Sequence, residues 1–256
     1  MMKTITVCNQ KGGVGKTSTA INIADVLRSK KKKVLLIDMD PQHSATLTYQ
    51  ATIDGENTIY DVLNVKDACP TKDAIQHTDM GDIIAGDLLL LDLEPALLTH
   101  VGADFALKDK LDEIEGLYDY VIIDTPPNPG RYTTMSLIAA DACIIPLMPG
   151  KYAVDGLAQV INTVKAVQKR MNTGLQNLGV LIVRHDKRKI EDREIEAQLP
   201  EVGKQSGFDV FKTKVRISQE IETAQRNDES LIKSFPKSYG AEDYKEVVKE
   251  MLKKLK

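Results

Sequence analysis

The feature that most constrains this chain is a short apolar run that leads directly into a glycine-rich turn and then a helical pattern. The run covers residues 5–8, the turn covers residues 12–15, and apolar residues recur every three or four positions over residues 17–29. Glycines allow successive backbone N–H groups to point into one concavity, and a helix N-terminus adds the positive end of its dipole. The stretch therefore predicts a loop of the type that cradles phosphates. The residues of this predicted loop are Lys11, Gly12, Gly13, Val14, Gly15, Lys16, Thr17 and Ser18.

Two lysines distinguish this loop from the common phosphate-binding pattern, which reads G-x-x-x-x-G-K-[ST]. Lys16 is placed to bring its charge to the outer phosphates of ATP, and the hydroxyl of Thr17 is placed to bind Mg²⁺. The first glycine of the pattern should stand at position 10, but Gln10 occupies that position and Lys11 follows it. We predict that both lysines act in ATP hydrolysis. The alternative is that Lys11 is only an exposed loop residue.

Short apolar runs rich in β-branched residues alternate with helical patterns along the rest of the chain. Continuous apolar runs are typical of buried parallel strands, and their alternation with helices indicates βαβ units. We predict an α/β fold, with a single P-loop NTPase domain over residues 1–256 and a twisted, mostly parallel β-sheet flanked by helices on both faces. Polar residues at 51–82 predict loops and short helices. The predicted strands cover residues 5–8, 34–37, 83–85, 120–123, 142–147, 178–183 and 210–212, and later helices cover 154–171 and 241–255.

Acidic residues follow two of the predicted strands, where carboxylates can hold a hydrated Mg²⁺ ion and orient a water molecule. Asp38 and Asp40 follow the run at 34–37, and Asp124 follows the run at 120–123. Asp40 lies further from the buried strand than Asp38, so we predict that Asp40 is the catalytic, water-orienting residue. The alternative is that these carboxylates only cap turns at strand ends. A phosphate loop upstream in the same sheet favours the metal-binding interpretation.

The ordered set of motifs resembles the ParA/MinD group of ATPases, which carry a deviant Walker A box. The sequence K-G-G-V-G-K-T at 11–17 is similar to that box. The sequence D-M-D-P-Q at 38–42 resembles the Walker A′ element of the ParA branch, and D-T-P-P at 124–127 resembles its Walker B element. Residues 151–157 and 237–244 are similar to two further segments of that branch. The resemblance covers nearly the whole chain and points to a small ParA-type partition ATPase without an N-terminal helix-turn-helix.

The resemblance places two loop residues at a dimer interface. In that family, the lysine that Lys11 matches reaches across an ATP-bound sandwich dimer to the partner's phosphates. The glycine that Gly12 matches lies at the dimer face, where a side chain would interfere. The resemblance thus implies a homodimer with ATP and a monomer after slow hydrolysis.

The resemblance places the other site residues within one subunit, around ATP and Mg²⁺. Lys16 would contact the β- and γ-phosphates, and Ser18 would contact the α-phosphate. Thr17 would ligate Mg²⁺ directly, while Asp40 and Asp124 would act through metal-bound or attacking water.

The ParA branch also implies partners and a location. Its ATP dimers bind DNA non-specifically, and a ParB-like centromere-binding protein stimulates hydrolysis, which moves plasmids or chromosomes over the nucleoid. We therefore expect a cytoplasmic, nucleoid-associated protein that does not bind membranes. Two alternatives stay open: a MinD-like ATPase that cycles on membranes through the helix at 241–255, and an ATPase that positions another cargo. Residues 214–220 match the family stretch P-R-N-x-x-[LI]-S-E-A only in part, so the residues that contact adenine are not assigned.

Charge and cysteine content limit the other functions. The three cysteines form no C-x-x-C pair, so neither a zinc site nor a disulfide framework is predicted. The net charge is −3, yet residues 184–256 carry 17 Lys and Arg against 15 Asp and Glu, which permits a basic patch for DNA phosphates. A solvated surface is the alternative for each of these cations. The candidate DNA contacts are Lys187, Arg188, Lys189, Lys212, Lys214, Arg216, Arg226, Lys233 and Lys237.

Overall fold

The computed structural model describes residues 1–150 and 153–255, which are built around one β-sheet. The strands are β1 (Lys3–Val7), β2 (Val34–Asp38), β3 (Ile75–Thr78), β4 (Gly81–Ile84), β5 (Tyr120–Asp124), β6 (Ala142–Leu147) and β7 (Gln176–Ile182). Their order across the sheet is β3-β4-β2-β5-β1-β6-β7. Every neighbouring pair is parallel except β3 and β4, which are antiparallel. This arrangement confirms the predicted α/β class with a mostly parallel sheet.

Helices connect the strands and cover both faces of the sheet. The helices are α1 (Lys16–Ser29), α2 (Ser44–Thr48), α3 (Ile59–Leu63), α4 (Leu90–Thr99), α5 (Ala106–Asp112), α6 (Arg131–Ala139), α7 (Ala153–Arg170), α8 (Ile190–Ser206), α9 (Gln219–Arg226), α10 (Leu231–Ser234) and α11 (Tyr239–Lys254). Two 3-10 turns, Thr71–Ala74 and Ala103–Phe105, complete the regular structure of the described residues. Residues 151 and 152, which begin one of the segments similar to the ParA branch, lie outside the described residues.

Successive residues of a strand point to opposite faces of the sheet, and this alternation divides the core. On β1, Ile5 and Val7 pack with α1 and α11 on one face. On β6, Cys143 and Ile145 point to the other face, where they pack with α7 and α8. Helices α3 to α6 cover the same face over β2 and β5. Because helices cover both faces of the sheet, the sheet is accessible at the ends of its strands.

The last long helix, α11, packs against the sheet and α1. Its apolar side chains Val247, Val248 and Met251 are fully buried in that core. The hydroxyl of Tyr244 lies 3.4 Å from the hydroxyl of Thr19 on α1. The face that would contact lipid in a membrane-surface helix is thus inside the protein. None of the helices in the described residues is both long and apolar enough to cross a bilayer.

Two predictions near the outer strands of the sheet were wrong, a strand at 210–212 and the absence of a strand from 51–82. Residues 210–212 form only a single bridge, between Val210 and Val180. The backbone N–H groups of Lys212 and Thr213 donate instead to the carboxylate of Glu250, so the ladder does not continue. At the other edge, β3 lies inside the segment predicted as loops and short helices. It was missed because it is a short, half-exposed hairpin strand without an apolar run.

Candidate functional site

The carboxyl ends of three central strands bring the predicted phosphate loop and the acidic residues to one edge of the sheet. Asp124, the last residue of β5, is in register with Val7 of β1 on one side and with Asp38 of β2 on the other. The phosphate loop follows β1, and Asp40 follows β2 by two residues. Parallel register therefore gathers these groups, at the edge where open α/β sheets bind ligands.

The backbone of the loop explains some of its glycines and leaves one unexplained. Gly13 and Gly15 have φ angles of +71° and +80°, which L side chains rarely adopt. Gly15 is also the N-cap of α1, so the loop ends where the helix dipole begins. Gly12 is exposed, and a Cβ atom placed on it would contact only Pro127, at an ordinary 3.8 Å. Among the described residues, neither backbone conformation nor packing requires a glycine at position 12.

The loop entrance is fixed by Asn9, a residue that the sequence analysis did not select. The buried side-chain amide of Asn9 donates to the carbonyl of Pro146 at 2.7 Å. Its oxygen accepts the backbone N–H of Lys11 at 3.0 Å. The Lys11 side chain is exposed, and within residues 1–150 and 153–255 its ammonium makes no hydrogen bond or ion pair. Asn9 thus anchors the Lys11 backbone while the cation stays free.

Lys16, in contrast, is directed inward. It is 6% exposed, and its ammonium donates to the carbonyl oxygen of Lys11 at 3.2 Å. Burial lowers the pKa of Lys16 from its ordinary value, while the negative charges of Asp124 and Asp40 oppose this shift. The Lys16 ammonium and the carboxylates of Asp124 and Asp40 therefore lie in one buried site. An anionic ligand bound there would stabilise the positive charge of Lys16.

Asp124 is the most unusual group of the site. Both of its carboxylate oxygens are buried and accept no hydrogen bond of ordinary geometry. Burial raises the pKa of Asp124 well above its ordinary value, and the neighbouring Asp38 adds to this effect, whereas the Thr17 hydroxyl and the Lys16 charge oppose it. A buried, unpaired carboxylate beside a hydroxyl is the donor set that a hydrated Mg²⁺ ion prefers. The residues present therefore fit this metal.

The two acidic residues at the carboxyl end of β2 have different surroundings. Asp38 is fully buried and accepts hydrogen bonds from the backbone N–H and the hydroxyl of Thr46, at 2.9 and 2.8 Å. Burial raises the pKa of Asp38 to about 6. Asp40 lines the cavity, and one of its oxygens accepts the backbone N–H of Gln42 at 2.9 Å. Asp38 therefore holds the turn together, and Asp40 is the carboxylate that faces a ligand.

A cavity of about 430 Å³ extends from the phosphate loop along the surface of α1. At the loop end, Lys16, Thr17 and Asp40 line it. The hydroxyl of Ser18 donates to the side chain of Gln225 on α9 at 2.9 Å, where the cavity passes beneath that helix. The volume suits a nucleotide-sized ligand, since small-molecule sites commonly measure about 300–1,000 Å³.

The far end of the cavity was not assigned from the sequence. Its apolar wall is formed by residues that follow β7, residues that precede α9 and one residue of α9 itself, whose side chains offer apolar contacts to a ring system. Arg184 and Glu222 line the same end and form an ion pair, 3.0 Å apart. The segment that departs from the family stretch, 214–220, contributes part of this wall, and that departure was the one available signal. The apolar residues are Val183, Val215, Ile217 and Ile221.

Comparison with known proteins decides the family. A family model described as an AAA domain matches residues 2–177. The sporulation initiation inhibitor protein Soj of Bacillus subtilis is 37% identical over 98% of this chain and 98% of its own length. The chromosome partitioning protein ParA of Myxococcus xanthus is 33% identical over 98% of this chain and 88% of its own length. The chain belongs to the ParA family of ATPases.

A solved structure of similar fold supports ATP and Mg²⁺ as the cofactors of this chain. The Mycobacterium smegmatis protein described as cobyrinic acid a,c-diamide synthase, solved with an ATP analogue and magnesium, matches with a TM-score of 0.85 and 29% identity. The match covers 99% of this chain and 95% of that one.

The candidate DNA contacts of this ParA-family chain divide into two groups. Arg188, Lys214 and Arg216 are held by acidic partners, Asp186 at 2.8 Å, Glu196 at 2.6 Å and Asp243 at 2.7 Å, respectively. Arg216 also stacks on Tyr239, with 4.1 Å between the guanidinium carbon and the ring centroid, and it lines the nucleotide cavity. The others are exposed and make no ion pair with any described residue: Lys187, Lys189, Lys212, Arg226, Lys233 and Lys237.

Proposed function

We propose that this partition ATPase is Mg²⁺-dependent and works as a switch. With ATP it forms a homodimer that binds DNA non-specifically, and slow hydrolysis, stimulated by a ParB-like partner, returns it to the monomer. The cycle segregates a plasmid or a chromosome over the nucleoid in the cytoplasm.

The observation that carries the proposal is the free ammonium group of Lys11. Its backbone is fixed by Asn9, yet the cation has no partner among the described residues. Gly12 beside it is exposed and has room for a side chain, so the contacts that the structure describes within one chain account for neither residue. A second copy whose nucleotide faced Lys11 and whose surface approached Gly12 would account for both.

Within one chain, the site residues have separable tasks. The loop backbone and Lys16 hold the β- and γ-phosphates, and Ser18 contacts the α-phosphate, exchanging its hydrogen bond with Gln225 for one with the ligand. Thr17 would hold Mg²⁺ directly, and Asp40 and Asp124 would hold it through water; the bound ion neutralises phosphate charge.

Asp40 is the residue placed to orient water. One of its oxygens is used by the Gln42 backbone, and the other accepts no hydrogen bond from the described residues. That second oxygen is therefore available to a water molecule at the cavity wall. The apolar side chains of Val183, Val215 and Ile221 lie at the far end, where they suit the faces of adenine.

The free cations supply the DNA contacts of the proposal. Lys187 and Lys189 lie together before α8, while Arg226, Lys233 and Lys237 lie at or after the end of α9. The chain carries a net charge of −3, so one copy attracts DNA weakly. Two copies present two such sets, which makes DNA binding dependent on dimerisation.

Co-sedimentation with plasmid DNA tests this function. The protein is incubated with Mg²⁺ and ATP, with Mg²⁺ and ADP, or without nucleotide, and the fraction that pellets with DNA is measured. We expect pelleting with ATP only, and its loss at high salt because phosphate contacts are screened. Equal pelleting in all three conditions, or none in any, contradicts the proposal.

A further inference from the structure

Helix α4 is apolar on two faces, and the fold covers only one of them. Leu88, Leu91 and Leu98 are 54%, 52% and 64% exposed. A helix that is apolar all round is normally buried, so an uncovered apolar face marks a contact surface. The face that packs into the core consists of Leu90, Leu93 and Leu97.

The exposed side chains form one continuous row. Leu91, Pro95 and Leu98 follow each other on α4 at spacings of four and three residues, which places them on a single side of the helix, and Leu88 lies in the turn just before α4. We call this row the leucine stripe. Val101, which follows the end of α4, is 96% exposed. Single exposed leucines are common, but a row of this length is not.

Acidic residues border the leucine stripe. By helix geometry, Asp92 lies on one side of Leu91 and Glu94 on the other. Residues 87–115 carry eight Asp and Glu against two Lys, a local balance of −6, whereas the whole chain has −3. Three of these carboxylates are already paired, Asp104 with Arg131, Asp112 with Lys108 and Glu113 with Lys110, so the acidic border of the stripe is Asp92 and Glu94. An apolar row with acidic borders is complementary to an apolar row with basic borders.

We propose that the leucine stripe is the docking site for an amphipathic helix of another protein, with Lys and Arg along the borders of its apolar face. A helix of this type would lay its apolar residues along the stripe and pair its cations with the acidic borders. This inference goes beyond the proposed switch, because docking requires neither ATP nor a dimer.

The stripe is connected to the segment that follows Asp124. The carboxylate of Glu94 accepts the backbone N–H of Arg131 at 3.4 Å, and Asp104 pairs with the Arg131 guanidinium at 2.9 Å. The hydroxyl of Tyr132 donates to the carbonyl of Leu90. These contacts hold the start of α6 in place. A helix bound on the stripe would therefore lie next to the residues that anchor the loop between Asp124 and α6.

Peptide binding to the full chain tests the proposal. The probe is a fluorescein-labelled amphipathic peptide of Leu and Lys, about 14 residues or four helical turns long, and its counterpart carries Glu in place of Lys. The proteins are the wild type, a double variant with Leu91→Gln and Leu98→Gln, and Leu117→Gln as a matched exposed leucine outside the stripe, 51% exposed. Circular dichroism verifies that the variants, which change only exposed residues, stay folded.

We expect the Leu/Lys peptide to bind the wild type and the Leu117→Gln variant alike. Its affinity for the double variant should fall by about tenfold or more, since central apolar anchors dominate such interfaces. The Leu/Glu peptide should not bind. No binding to the wild type, or equal affinity for the double variant, overturns the proposal. Self-association of the wild type without nucleotide that the double variant loses also overturns it, because the stripe would then join copies of this chain.

Discussion

The buried ammonium group of Lys16 donates a hydrogen bond to the backbone carbonyl of Lys11, 3.2 Å away, while the Lys11 side chain is exposed and unpaired among the described residues. One short loop thus directs one lysine toward the carboxylates of its own chain and another toward the outside. Lys16 is placed to bind phosphate within a single chain. Lys11 is not placed to do so, and this difference is the basis of the dimer proposal.

Gly12 and Gly13 should respond differently to the same substitution. Gly12→Val is expected to fold and to bind a fluorescent ATP analogue as the wild type does, because position 12 is open and needs no left-handed backbone. It should lose ATP-driven dimerisation, because the new side chain would lie at the proposed interface. Gly13→Val should weaken nucleotide binding itself, since Gly13 has a φ of +71°. A Gly12→Val protein that dimerises normally would remove Gly12 from the interface.

Asp38 is predicted to be a stability residue. Asp38→Ala leaves the backbone N–H and hydroxyl of Thr46 and the backbone N–H of Asp40 without their acceptor. Unsatisfied buried donors of this kind cost about 1–3 kcal/mol each, so urea unfolding should show a clear loss of stability. Asp38→Asn, which keeps one oxygen, should lose less. Unchanged unfolding midpoints for both variants would count against this structural role.

Asp40 is predicted to act in hydrolysis and not in folding. Asp40→Ala should unfold near the wild-type urea concentration, because its carboxylate accepts only one hydrogen bond from the residues that the structure describes, that of the Gln42 backbone N–H. With ATP it should accumulate as a dimer that does not turn over, since water is no longer oriented. Phosphate release and molar mass are measured on the same sample. A variant that stays monomeric with ATP would speak against this assignment.

The central strands of the sheet were predicted from the sequence more accurately than its outer strands. The central strands and the phosphate loop were predictable because a buried parallel strand and a strand–turn–helix each leave a local pattern. The edge strand β3 has no such pattern. Residues 210–212 have the pattern, but they form only one bridge to β7, because the backbone N–H groups of Lys212 and Thr213 donate to Glu250. Edge pairing is decided by tertiary contacts that a short apolar run does not encode.

The candidate site divides in the same way. Asp40 and Asp124 could be selected because each lies at or just after the carboxyl end of an apolar strand. Arg216 could be selected only as a cation, and its engagement with Asp243, 27 residues away in sequence, was not visible. The apolar end of the cavity and Asn9 were missed because their roles depend on long-range packing.

Lys187 and Lys189 are predicted to contribute to DNA binding in the ATP state. Replacing both with Ala should weaken binding to DNA of any sequence and reduce the dependence of log affinity on log salt by about one to two ion equivalents per chain. Lys31→Ala with Lys32→Ala is the control, since those lysines follow the end of α1 at the opposite edge of the sheet. Fluorescence anisotropy with labelled duplex DNA over a salt series measures both quantities. Equal losses in the two double variants would indicate a general charge effect.

The central claim is that Lys11 completes the site of a second copy, and the molar mass in solution tests it most directly. Sedimentation velocity is run on the wild type, Lys11→Ala and the exposed-lysine control Lys32→Ala, each with Mg²⁺ and ATP and each with Mg²⁺ and ADP. We expect the wild type and Lys32→Ala to double in mass with ATP alone. Lys11→Ala should bind ATP, remain at the monomer mass and lose hydrolysis. A Lys11→Ala protein that dimerises and hydrolyses ATP like the wild type would contradict the account.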